Sequence, residues 1–204
     1  MPVVFLIRHG ENDYIKKGRL AGRLPSVHLN ERGQKQAVAI AESLKKTPIN
    51  AIHASPLERA VETAEPLARA LNLDVQIHPG LMDTDVGEWQ DVPLKKLRRL
   101  ALWKQVQQNP SSVRFPGGES FLELQVRLVN SIEKILGESG KKDMLAVVFH
   151  ADPIKLVLAH YLGLPMDNFQ KLGVSPGSVS VLVTGKSGGY LAALNLHPPF
   201  VLEK

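Results

Sequence analysis

A three-layer α/β/α fold with a mostly parallel central sheet is predicted by three features of this sequence. Apolar runs of strand length alternate with stretches of helical periodicity. No repeat, low-complexity tract or linker interrupts that alternation. The 204 residues suit one α/β core, so 1–204 is expected to form a single domain.

The elements follow in order. Val3–Ile7 is an apolar run that ends abruptly at Arg8, His9 and Gly10, as a buried strand would. Asn30 is placed to cap a first long helix, in which Ala37, Ile40, Ala41 and Leu44 share one face. Ala51–His53 is a second strand. After it, "SPLE" offers Ser55 as N-cap, Pro56 in the first helical position and Glu58 to close a capping box. Leu57, Val61, Ala64, Ala68 and Leu71 line the face of the helix so begun, and Val75–Ile77 is the strand after it. Ser120 and Glu123 form a second capping box behind the Pro116-Gly117-Gly118 turn. Leu124, Leu128, Ile132 and Ile135 continue it as a helix. Met144–Phe149 is a strand, and "HADPIK" offers Asp152 as the N-cap of a helix carrying Ile154, Val157, Leu158 and Tyr161. Val179–Val183 and Leu191–Leu194 complete the sheet. They are expected to include an exposed edge of the kind a homodimer covers.

Composition removes several function classes. There are no cysteines, which excludes disulfides and thiolate metal sites and agrees with a cytoplasmic location. The opening apolar run is too short for a secretion signal, and no run reaches membrane-spanning length. The net charge of +5 favours anionic partners. Its basic clusters, Lys16-Lys17 and Lys95-Lys96 with Arg98-Arg99, are short and not interleaved with aromatics. A small phosphorylated metabolite is therefore expected as partner, rather than nucleic acid. No ligand spacing for a metal is present, and no cofactor is expected.

The unusual residues fall at the carboxyl ends of strands, where open α/β sheets bind ligands. Arg8 and His9 follow the first strand, Arg59 lies in the first helical turn after the second, and His150 follows Met144–Phe149. A cation in a first helical turn opposes the macrodipole by roughly 0.3–1 kcal/mol. The placement makes sense if an anion there meets both the helix N-terminus and the guanidinium. Two arginines and two histidines at one edge suit a phosphoryl dianion.

Six segments in order resemble the histidine phosphatase superfamily, the phosphoglycerate mutase-like enzymes: "LIRHGEN", "GRLAG" with "LNERGQKQA", "SPLERAVETA", "LMDTDVGEWQD", "PGGESF" and "VVFHADPIK". The resemblance covers nearly the whole chain. It implies a metal-independent phosphomonoesterase with His9 as the nucleophile that becomes a phosphohistidine. Arg8, Arg59 and His150 would bind the phosphoryl oxygens, Asp83 would be the general acid, and Asn12 and Gly22 would border the substrate. Gly10 would let the backbone approach the phosphoryl group.

Some positions depart from the mutase pattern. Asp83 stands where the mutases usually carry glutamate. Ile15 and Ala21 replace polar residues, the Trp89–Pro116 segment is short and lacks their arginine-bearing insertion, and Asp152 replaces a glycine. These changes favour a phosphatase with a less polar pocket. A phosphoglycerate mutase and a weakly catalytic phospho-binding module are the alternatives. Taken singly, each residue has an ordinary reading: His9 as a strand-end histidine bonded to backbone, Arg59 as a solvated helix arginine, His150 as a core histidine. Asp85 rivals Asp83 as the acid, since either could cap a turn. His28, His53, His78, His160 and His197 read as structural or surface residues, and Trp89 and Trp103 as core or pocket wall.

Overall fold

The computed structural model describes residues 1–185 and 188–200. Six strands form one sheet: β1 Val3–Arg8, β2 Ala51–Ala54, β3 Val75–Ile77, β4 Met144–Phe149, β5 Val179–Gly185 and β6 Gly188–Leu196. Each contains one of the strand-length apolar runs. Their order is β3-β2-β4-β1-β5-β6; β3, β2, β4 and β1 run parallel, while β5 and β6 are antiparallel to their neighbours.

Burial of β1 from Val4 to Ile7 and of β4 from Leu145 to Phe149 is continuous rather than alternating. That is the signature of strands covered on both faces. Phe5 and Ile7 pack with α2 (Glu31–Leu44) and α3 (Glu58–Leu71) on one side. Val4 and Leu6 pack with α6 (Phe121–Gly137) and α7 (Ala151–Tyr161) on the other, giving the three layers. The connections add short helices α1 (Asp13–Lys16), α4 (Leu94–Leu97) and α5 (Ala101–Gln108). Aromatic contacts fasten α5 to the α6 layer: Trp103 to Trp89 with ring centroids 6.0 Å apart, Trp89 to Phe115 at 5.4 Å and Phe115 to Phe121 at 5.2 Å.

Two of the four expected caps form. Asn30 accepts from Gly33 N at 2.9 Å, and Ser120 with Glu123 makes the reciprocal capping box. The other two do not. α3 begins at Glu58 with Leu57 in the cap position; the Ser55 hydroxyl, just before it, accepts from Leu57 N at 3.4 Å and is bonded to His150 Nε2 at 2.9 Å. In α7 the cap position belongs to His150; Asp152 lies inside the first turn, where its carboxylate accepts from Lys155 Nζ at 3.2 Å. The buried face of α3 is also rotated: Ala60, Thr63, Ala64, Leu67 and Ala68 are buried, and Val61 and Leu71 sit at its margin.

Gly10 likewise serves a different purpose from the expected one. A Cβ there would lie 2.6 Å from the Gly33 carbonyl oxygen, and a Cβ on Gly33 would lie 2.0 Å from Glu11 O. The glycine pair lets the loop after β1 press its backbone directly onto α2.

His53 on β2 is buried, and its Nδ1 is 2.9 Å from His78 Nε2. Burial, then the neighbouring His78, pushes its pKa down to about 4. The unfolded chain therefore binds more protons between the ordinary value near ~6.5 and that value, so stability present above ~6.5 is lost as pH falls through this window. The loss is on the order of 1.4 kcal/mol per pH unit within it. Urea unfolding of wild type and His53→Leu at about pH 7 and about pH 5 should show wild type losing stability relative to the variant at the lower pH. A difference independent of pH would contradict the assignment.

Candidate active site

Three strand ends build the site. β1 delivers Arg8 and His9 beside β4, with His9 N donating to Phe149 O at 3.0 Å. β2 leads to Ser55 and into α3, whose first turn carries Arg59. β4 leads to His150 at the mouth of α7. The rings of His9 and His150 meet edge to face, with centroids 5.2 Å apart. The residues that the sequence singled out from distant segments are thus brought together.

His9 Nδ1 lies 2.8 Å from the Gly10 carbonyl oxygen. A carbonyl only accepts, so Nδ1 must carry the proton and Nε2 keeps its lone pair. Burial, Arg59, His150 and Arg8, in that order, hold the His9 pKa well below the ordinary histidine value. His150 is depressed for the same reasons, burial first and then Arg59. Both imidazoles are neutral at neutral pH, and His9 is a ready nucleophile.

Arg59 is 1% exposed. Its Nη2 donates to the Gly22 carbonyl at 2.7 Å and to Asp83 Oδ2 at 3.1 Å. Gly22 holds φ +54°, and a Cβ there would lie 2.7 Å from Val86 Cγ2, so a side chain would spoil this anchor. Arg59 Nη1, Arg8 Nε and His150 Nδ1 are buried without a hydrogen-bond partner among the described residues. A buried unmet donor costs about 1–3 kcal/mol. Several around one point, beside the N-termini of α3 and α7, suit a bound oxyanion. Among the described residues no group of three or more His, Cys, Asp or Glu side chains is placed to hold a metal ion.

Asp83 is the carboxylate beside His150 and Arg59. Its Oδ2 lies 3.5 Å from His150 Nδ1, and its side chain lines the same cavity as Arg8, His9 and Arg59. Burial raises its pKa; Arg59 and Arg8 pull the other way without reversing the shift. Asp85 stays outside the cavity: its carboxylate accepts from Gly87 N at 3.1 Å and pairs with Arg23 at 3.3 Å. Asn12 lines the cavity, but its Oδ1 is occupied in capping α1 through Ile15 N at 2.9 Å.

Sequence reading missed what holds Asp83. Glu119 Oε1 accepts from Asp85 N, Arg23 Nη2 and Arg127 Nη2 at 2.8–2.9 Å. Arg23 Nε then donates to Asp83 O at 2.9 Å, and Arg127 Nη1 to Gly80 O and Met82 O at 2.8 and 3.0 Å. The loop bearing the acid is therefore tied by two guanidiniums organised around one carboxylate. Glu119 stands in "PGGESF", where its value as a signal is hidden by the turn residues around it.

A model of the histidine phosphatase superfamily (branch 1) matches residues 4–197. Phosphoserine phosphatase 1 of Hydrogenobacter thermophilus is 29% identical over 201 residues, 96% of this chain and 93% of that protein. A bifunctional protein of Mycobacterium tuberculosis is 34% identical over 182 residues, 87% of this chain but 49% of that protein. Among solved structures, a mycobacterial glucosyl-3-phosphoglycerate phosphatase in complex with VO3 superposes with a TM-score of 0.86 at 28% identity, covering 95% of this chain and 98% of that one.

The neutral state of His9 can be measured directly. In an NMR titration assigned with His9→Asn and His150→Asn variants, the His9 and His150 midpoints should lie below ~6.5. His28, raised by its bond to Glu62, should titrate above that value and serves as an internal control. A His9 midpoint at or above the ordinary value would contradict the description of the site.

Proposed function

Because the chain belongs to the histidine phosphatase superfamily and is a phosphatase, we propose that it hydrolyses small phosphomonoesters through a phosphohistidine on His9, with Asp83 as general acid. The observation that carries this reading is the His9 geometry: Nδ1–H held by Gly10 O leaves Nε2 free to attack.

His9 Nε2 forms a bond to phosphorus as the bond to the leaving oxygen breaks. Asp83, whose pKa burial raises, gives its proton to that oxygen. Arg8, Arg59 and His150 donate to the equatorial oxygens, whose charge they neutralise in place of a metal. The phosphorylated ring carries a positive charge, which the Nδ1–H···O bond to Gly10 stabilises. Water then attacks the phosphoryl group, Asp83 carboxylate takes the proton, and the P–N bond breaks to restore neutral His9 and release phosphate.

The pH dependence follows from the two shifts. A lowered His9 pKa keeps the nucleophile neutral further into acid, and a raised Asp83 pKa keeps the acid protonated further towards neutrality. The substrate dianion raises Asp83 again. Activity should therefore peak below neutral pH, falling on the acid side as His9 protonates and on the alkaline side as Asp83 ionises.

A mutase would need cations for a second phosphate. Arg19, which borders the cavity, is held by Asp91 Oδ1 at 2.8 Å, and Ile15 and Ala21 are apolar. The position of Asp83 beside His150 favours turnover over a binding-only module.

His9→Ala should abolish phosphate release, and activity should persist in excess chelator. Asp83→Asn should lose roughly a hundred- to ten-thousand-fold on an alkyl phosphate, which needs its leaving oxygen protonated, and much less on p-nitrophenyl phosphate. Asp85→Asn should lack this split. Wild-type-like turnover in His9→Ala, or a leaving-group split found only in Asp85→Asn, would overturn the corresponding assignment.

A further inference from the structure

Beyond the phosphoryl-binding floor, the same cavity says what the phosphate is attached to. Its volume is about 260 Å³, small for a ligand site, since such sites span roughly 300–1,000 Å³. The space not taken by the phosphoryl group is walled by Ile15, Ala21, Val86, Trp103, Val106 and Phe115. Trp103 and Val106 reach it from α5, and Trp89, itself edge to face with Phe115, packs against Trp103.

The charges on this wall matter as much as the apolar area. Among the lining residues, the one cation outside the floor is Arg19, and both its Nε and its Nη2 donate to Asp91. Arg23 and Arg127, the next arginines along the Asp83 loop, are consumed by Glu119 and by backbone carbonyls. Asp152 also lines the cavity, paired with Lys155 at 3.2 Å, so among the described lining residues a substrate carboxylate would find no cation outside the phosphoryl floor that is not already held by a carboxylate. The remaining polar groups, Asn12, Tyr14, Thr84, Gln107 and Gln170, are neutral and suit a hydroxyl or an ether.

We propose that the substrate's leaving group is an uncharged, largely apolar alcohol of about one ring, and that the site rejects leaving groups bearing a carboxylate or a second phosphate. This rests on the phosphatase reading and deepens it. It separates this chain from relatives whose names specify phosphoserine and glucosyl-3-phosphoglycerate, both of which carry a carboxylate beside the phosphate. The physical basis is asymmetric. Filling the apolar wall gains of the order of tenfold to a hundredfold in kcat/KM, whereas an ionised group left unpaired in it is penalised more heavily.

The test uses esters with similar alkyl leaving oxygens, so that intrinsic reactivity does not set the order: benzyl phosphate, O-phosphoserine and 3-phosphoglycerate. Benzyl phosphate should have the highest kcat/KM, by about a hundredfold or more. Trp103→Ala should lower that value about tenfold or more while inhibition by inorganic phosphate changes less than about twofold. Ile15→Arg, which places a cation in the wall without cutting into the aromatic stack, should shift preference towards O-phosphoserine. Faster turnover of O-phosphoserine or 3-phosphoglycerate by wild type, or no change in preference in Ile15→Arg, would overturn the specificity while leaving the phosphatase reading intact. No His9-dependent hydrolysis of any ester would overturn both.

Discussion

Two arginines are held in the interior at one sheet edge, and the rest of the site answers to them. Arg59 is buried, and Arg8 is partly so, with its Nη1 donating to Val174 O at 2.6 Å. Removing such charges from water is expensive unless other groups compensate. Gly22 O and Asp83 meet part of the demand, and a phosphoryl dianion would meet the remainder. Burial first, and then the same fixed positive charge, opposes protonation of His9 and His150. The buried arginines therefore supply the anion site and add to the burial that keeps the nucleophile neutral. Asp83 shows which effect wins locally: cations favour its ionised form, yet burial dominates and its pKa rises.

Holding that arrangement requires rigid supports from distant parts of the chain. The parallel register of β1 on β4 sets His9 beside His150. The backbone contact of Gly10 with Gly33, and the bond from Gly10 N to Thr63 Oγ1 at 3.0 Å, fix the turn that presents His9. Thr63 in turn bonds the Arg59 carbonyl at 2.7 Å, so the nucleophile's loop and the helix carrying the cation are coupled. Glu119, Arg23 and Arg127 do the equivalent for the acid's loop. Preorganisation of this kind is what lets electrostatic stabilisation act without reorganisation during the reaction.

The sheet, the long helices and the convergence of Arg8, His9, Arg59 and His150 were legible in the sequence, because periodicity and the placement of these residues at strand ends are local signals; Asp83 joined them through resemblance. Preference for Asp83 over Asp85 came from resemblance; the structure adds a physical reason, since Asp83 lines the cavity and Asp85 does not. What was not legible depends on through-space contact. Ser55 looked like a helix cap because its neighbours Pro56 and Glu58 fit one; only the proximity of β2 to β4 gives its hydroxyl to His150. Gly10 looked like a ligand-facing glycine, but its neighbour is 23 positions further along, at Gly33. Glu119 and Arg127 each resemble a surface charge, and their joint task exists only once α6 packs beside the Asp83 loop. His53 and His78 were read as structural or surface residues, but their pairing was not legible for the same reason.

The central claim is that His9 reacts through Nε2 because Nδ1 is committed to Gly10. The most direct measurement is ³¹P NMR of the phosphoenzyme, formed with a fast-reacting aryl phosphate and quenched in alkali to preserve the P–N bond. A single phosphohistidine carrying phosphorus on Nε2 of His9 is the expected result. Phosphate on Nδ1, or on His150 in place of His9, would contradict the account.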